Sequence, residues 1–280
     1  MRICLVLEGS YPYVHGGVST WMHQYITEMK EHEFIVWVIG ANEEKKGQFV
    51  YEFPTNVVEV REVFLDRLAG SEVGNKESGE LTDAEYEALK QLVFCAKPDW
   101  SLIFNLLQDG KIQRDSFLAS EEFFQMIQQL CTERYAMLPM SDVFHTIRSM
   151  LFPLLTLLSS DIPIADAYHA ISTGYGGILA TLASVRTKKP LLLTEHGIYT
   201  REREEEIIRA DWILPSMRKQ WIDFFYTLSD AVYSKADCIT SLFSKAREIQ
   251  IDMGCDPEKC RVISNGIDYE AFSTIPHEGD

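Results

Sequence analysis

The sequence predicts an α/β protein: a Rossmann-like, doubly wound and mainly parallel sheet that carries a helical insertion. Two observations predict it. Runs such as residues 2–8 and 34–40 are continuously apolar rather than alternating, as expected of strands covered on both faces. Between them Val18, Trp21, Met22, Tyr25, Ile26 and Met29 recur at the spacing of one helix face. Strand, loop, helix and strand in that order form a βαβ unit, whose right-handed crossover builds a parallel sheet.

The remaining elements follow in order. Residues 48–64 are dense in β-branched and aromatic side chains and predict one or two further strands, with Pro54-Thr55-Asn56 as a turn. From about 65 to 160 strand patterns vanish and helix formers take over, with helix start signals at Thr82, Ser120 and Ser141. This stretch reads as a helical insertion, either packed on one edge of the sheet or used to bind a partner. The α/β rhythm then returns: a strand at 166–171, a helix at 177–186, a strand at 190–195, a helix at 217–236, a strand at 238–241, a helix at 243–253 and a strand at 260–263.

Composition narrows the function. With 46% apolar residues the chain can bury a large core. A formal net charge of −16 and no dense Lys/Arg tract exclude a polyanion partner, so no nucleic acid is expected. The six cysteines lack Cys-x-x-Cys or zinc-type spacing and read as reduced thiols. Neither a signal peptide nor a transmembrane segment is legible, so the expected location is the cytoplasm.

Two loops at the carboxyl ends of apolar strands are candidate sites, because ligands of doubly wound sheets bind there. The first runs from Glu8 to Ser19 and contains Gly16-Gly17 just before a helix. Paired glycines admit close approach of a ligand and a helix start favours an anion, although the pair also suits an ordinary turn. A dinucleotide fingerprint is absent. The second loop is Thr194-Glu195-His196-Gly197-Ile198-Tyr199-Thr200-Arg201-Glu202-Arg203-Glu204, whose polar density marks His196 as the leading functional histidine, flanked by Glu195, Tyr199 and Arg201. His169 ends another strand and stands open between a structural and a functional role, and the charged run from Arg201 to Glu206 reads mainly as a solvated helix face.

Taken together, the Gly-Gly loop, the strand ending in His196-Gly197, the segment Ala236-Asp237-Cys238-Ile239-Thr240 and the turn Asn265-Gly266-Ile267-Asp268 resemble the retaining glycosyltransferases of family 4, which have the two-domain GT-B architecture. Within that family, Glu195 to Arg203, the long insertion and the opening Glu8-Gly9-Ser10-Tyr11-Pro12 are similar to the PelF-like enzymes of exopolysaccharide synthesis. The resemblance implies that residues 1–264 form the amino-terminal, acceptor-side domain and that 265–280 lead toward a donor-binding domain absent from this chain. It implies retaining transfer of a sugar from a UDP-sugar donor to a glycan acceptor, without cofactor or metal, alongside membrane-bound polysaccharide synthesis or secretion components. Gly16 and Gly17 would face the donor diphosphate and His196 the reacting sugar. Glu195, Tyr199, Arg201, Glu202 and His169 would shape the acceptor side or the cleft. The chain alone is then expected to be inactive. Two alternatives stay open: a non-catalytic interaction domain of a secretion complex, and half of a UDP-sugar epimerase.

Overall fold

The computed structural model describes residues 1–65 and 79–266. Its centre is β1 (Arg2–Glu8), flanked on one side by β2 (Glu33–Gly40) and β3 (Val57–Phe64). On the other side stand β4 (Ala167–Ala170), β5 (Leu191–Glu195), β6 (Cys238–Ser241) and β7 (Cys260–Val262). The seven strands lie in the order β3-β2-β1-β4-β5-β6-β7, and every pairing is parallel. The chain therefore winds outward from β1 to β3, returns to β1 and winds outward again on the opposite side. The reversal between β1 and β4 opens a crevice at the carboxyl edge.

The apolar strands are explained by burial on both faces. Ile3, Leu5 and Leu7 pack against Met22 and Ile26 of α1 (Gly17–Glu28). Cys4 and Val6, pointing the other way as the pleat requires, join the core beneath α7 (Tyr175–Thr187). Residues 175–183 of α7 are all buried, because the helix is enclosed between the sheet, α6 (Met140–Leu158) and α9 (Arg218–Lys235).

The crossover from β3 to β4 is the helical insertion: α2 (Asp83–Val93), α3 (Trp100–Gln108), α4 (Arg114–Leu118), α5 (Glu121–Arg134) and α6. Thr82 caps α2 in a reciprocal box with Glu85, and the Ser120 hydroxyl accepts from the Phe123 N–H at 3.1 Å to start α5. Ser141 does not start a helix. Pro139 precedes the first residue of α6, Met140, so Ser141 lies in the first turn, where the proline's preset backbone takes the place of a side-chain cap. Asp99, which carried no reading in the sequence, caps α3 through the N–H groups of Ser101 and Leu102. The buried side chains of the insertion share one core with Ile35, Trp37 and Tyr168 of the sheet, so the insertion is a layer on the sheet rather than a separately cored body.

Residues 48–64 provide a single strand. Phe49, Tyr51 and Phe53 form a loop whose rings pack on one another and on Tyr11, with centroids 5.0 Å apart for Phe49 and Phe53 and 5.1 Å for Tyr51 and Tyr11. Here aromatic density served loop packing instead of a sheet edge. Asn265 and Gly266 have no regular structure, while 267–280, including Ile267-Asp268, and 66–78 lie outside the described residues. Among the described residues no helix is long and apolar enough to cross a membrane.

Gly177 is fixed by packing. A Cβ there would collide with the Ser172 carbonyl oxygen and sit 2.9 Å from Val232 Cγ2. Gly177→Ala should therefore destabilise the fold by about 1–3 kcal/mol, because overpacking against backbone outweighs the roughly 1 kcal/mol that alanine contributes in a helix. Urea unfolding checks this; a variant as stable as the parent would show that α7 is free to move off the sheet.

Candidate functional site

A cleft of about 330 Å³ opens where β1, β4 and β5 end, lined by Glu8, Ser10, Val18, Ser172, His196 and Tyr199 among others. It occupies the crevice created by the reversal of winding. Its floor is organised by Glu8, the first charged residue after an apolar strand. Glu8 Oε1 accepts from the Tyr199 hydroxyl at 3.0 Å, and Oε2 accepts from the Gly176 N–H at 3.1 Å and the Ser172 hydroxyl at 3.3 Å. The carboxylate thus caps α7 from outside, since Gly174 at the helix start has no side chain to do so. Any side chain on Gly174 would run into the Tyr199 hydroxyl. The Arg203 guanidinium lies 5.1 Å from the Tyr199 ring centroid and feels the charge of Glu8. Glu8 and Arg203 lie within the two loops marked in the sequence but were given no role of their own there, and Ser172 was not singled out at all. The only available signal was a carboxylate ending a buried strand.

Val18 of α1 lines the cleft, whereas Gly16 and Gly17, just before it, do not; the helix begins at Gly17 with no side-chain cap, so its first N–H groups are left to solvent or ligand. A Cβ on Gly16 or Gly17 would meet nothing, so the protein's own packing does not demand glycine at either position. The space is open to an approaching group, and the helix start favours a negative one.

His196, the first residue beyond β5, rests edge-on against Trp21 of α1 with ring centroids 4.6 Å apart. Its Nε2 is enclosed yet has no hydrogen-bond partner in the protein, and partial burial lowers its pKa. The ring therefore stays neutral near pH 7 with one nitrogen uncommitted. His169 lies deeper, 3% exposed, with Nε2 hydrogen-bonded to Thr194 Oγ1 at 2.8 Å. Thr194 in turn pairs with Thr240 Oγ1 at 2.6 Å. Burial, reinforced by His196, pushes the His169 pKa down to about 4.

The structure separates the other expected site residues. Tyr199 and Glu202 border the cleft. A side chain on Gly197 would overlap the Glu202 carboxylate, so this glycine lets that carboxylate lie over the loop. Glu195 reaches the cleft wall, but its carboxylate is turned into the protein: Oε2 accepts from Tyr233 at 2.7 Å and Gln250 at 2.8 Å, and Oε1 from the Tyr199 N–H at 3.3 Å. It braces β5 against α9 and α10 (Ser244–Asp252). Arg201 lines a neighbouring groove with Glu205, Arg209 and Trp212 rather than the cleft itself.

Burial raises the Glu195 pKa, chiefly by desolvating the carboxylate. A carboxyl raised in the folded state favours folding while protonated, and that contribution is lost as pH rises from its unfolded value through its folded one. Glu195→Gln should therefore flatten the stability profile on the mildly acidic side, and Glu195→Ala should flatten it likewise while adding a cost of about 3 kcal/mol by stranding three donors. Urea midpoints measured across pH 4–7 separate the two effects; an unchanged profile in Glu195→Gln would show that this carboxyl does not titrate with folding.

Over 90 residues the chain is 29% identical to the MMP alpha-(1->4)-mannosyltransferase of Mycolicibacterium hassiacum, a match covering 32% of this chain and 21% of that protein. Anabaena HepE, solved in complex with UDP, is 13% identical with a TM-score of 0.41, covering 96% of this chain and 45% of HepE. Its structure with UDP and glucose gives a TM-score of 0.40 at the same identity and coverage. The chain thus spans less than half the length of these relatives. The family described as "Domain of unknown function (DUF3492)" matches residues 1–258, and the chain belongs to it.

Proposed function

We propose that this chain is the acceptor-side domain of a retaining glycosyltransferase of the GT-B architecture, PelF-like within family 4, and that it works on a UDP-sugar in exopolysaccharide synthesis. The single observation that carries the reading is that one cleft is lined both by Val18, in the uncapped first turn of α1, and by a neutral, uncommitted His196. The mannosyltransferase similarity supports the same reaction class.

In this reading the donor diphosphate lies against the first turn of α1, whose N–H groups and dipole oppose the charge that grows as the nucleotide leaves. His196 meets the sugar near the reacting carbon. A neutral imidazole can donate or accept a hydrogen bond there without placing a second positive charge beside an oxocarbenium-like centre. Glu8 holds Tyr199 in place beneath the sugar, and its charge acts on Arg203, which Glu206 holds. A second α/β domain supplies the base-binding pocket and the cations that receive the leaving diphosphate.

Calorimetry with UDP and UDP-sugars, beside a transfer assay, tests this. Residues 1–280 alone should bind weakly and transfer no sugar, since each 1.4 kcal/mol of missing contact weakens binding about tenfold. Micromolar UDP affinity or measurable transfer would show a complete donor site and refute the half-enzyme reading.

A further inference from the structure

An aromatic path leaves the cleft. Tyr199, whose hydroxyl is held by Glu8, has its ring 6.0 Å from Phe225. Phe225 stacks on Trp221 at 6.2 Å and 25°, and Trp221 meets the edge of Trp212 at 5.5 Å and 84°. The path ends in the open: Trp212 is 73% exposed, whereas Trp221 and Phe225 are 8% exposed. Phe225, Trp221 and Trp212, but not Tyr199, wall a cavity of about 570 Å³ between α6, α8 (Tyr199–Arg209) and α9. That volume falls within the range of ligand sites, roughly 300–1,000 Å³.

The cavity is joined to the cleft rather than merely near it. Arg203 lines both, and its guanidinium is paired with Glu206 at 2.5 Å on the wall of the aromatic cavity. Trp212 also lines the groove that contains Arg201, Glu202 and Glu205, so polar groups stand on its far side.

We propose that this path is the seat of the glycan acceptor, with a hexopyranose unit of a neutral chain stacked on the exposed Trp212, the chain running past the buried Trp221, and its end leading past Arg203 to the cleft. The assignment rests on the glycosyltransferase reading. A pyranose ring has an apolar face of C–H groups, which an indole face attracts, and an edge of hydroxyls, which a charged pair such as Arg203 and Glu206 can bond. Both kinds of partner are present, in adjacent positions. The formal charge of −16 argues against an anionic lipid surface as the occupant, and the charged pair in the wall argues against a purely apolar tail.

The test titrates the 15N-labelled chain separately with chitopentaose, maltopentaose, the apolar dye anilinonaphthalene sulfonate and UDP, following the indole N–H signals by NMR. Either pentasaccharide should shift the Trp212 and Trp221 signals. Trp212→Ala should weaken that binding at least about tenfold, equivalent to 1.4 kcal/mol. Trp212→Tyr should restore most of it, and UDP binding should be unchanged in both variants. Trp212 lies on the surface, so far-UV circular dichroism of either variant should match the parent. Pentasaccharide binding without UDP binding would uphold the acceptor path while removing the nucleotide-sugar reading. Failure of both pentasaccharides to move the Trp212 signal, undiminished binding in Trp212→Ala, or a response to the dye alone would overturn the proposal.

Discussion

If the proposed function holds, replacing His196 with alanine should slow sugar transfer by the two-domain enzyme it implies about 10- to 1,000-fold while leaving the unfolding midpoint almost unchanged. The rate effect is that of losing one contact strongest at the reacting centre, about 1–4 kcal/mol of barrier. The small stability effect follows from the structure: the ring is half-buried, touches Trp21 by its edge and leaves Nε2 without a protein partner. Little native bonding disappears with it. Steady-state kinetics and urea unfolding on the same preparation decide the matter. A variant that unfolds readily yet turns over normally when folded would make His196 a packing residue.

The second large effect is an acid transition centred on His169. Its pKa is lowered from 6.5 to about 4 in the folded protein. A depressed base contributes stability that is present above its unfolded pKa and is lost as pH falls toward its folded one. Between pH 7 and 4.5 this amounts to about 2–3 kcal/mol, at 1.36 kcal/mol per pKa unit. His196 acts in the same direction, whereas Glu195, whose pKa is raised, acts in the opposite one. The histidine is therefore isolated by comparison with His169→Gln, which should lose less stability between pH 7 and 4.5 than the parent by about that amount. Equal losses would mean that His169 does not carry the transition.

How much of this was legible in the sequence depended on the range of the interaction. The helix face of α1, the apolar strands and the caps at Thr82 and Ser120 are written in residues a few positions apart, and the structure places them accordingly. Ser141 misled because a proline two positions earlier sets the same boundary by a different means. Phe49, Tyr51 and Phe53 misled because strand and packed loop share a taste for aromatics. In the cleft, His196 and Gly16-Gly17 stood out as loop residues beyond strands. Glu8, Ser172 and Arg203 did not, because their significance lies in contacts spanning 164 to 191 positions of sequence at Glu8, which only the sheet order brings together. Glu195 looked like a ligand group beside His196, yet the pleat turns successive side chains to opposite faces, and its carboxylate meets Tyr233 and Gln250 instead.

A nucleotide diphosphate is expected in the crevice lined by His196 and, from the first turn of α1, by Val18. The most direct test is a chemical-shift map of the labelled chain titrated with UDP to millimolar concentration. Perturbations should concentrate on the backbone amides of Gly16, Gly17 and Val18 and on the His196 imidazole, with the opposite edge of the sheet around Arg2 and Asp166 unaffected. A silent titration, or shifts gathered away from the carboxyl ends of β1 and β5, would contradict it.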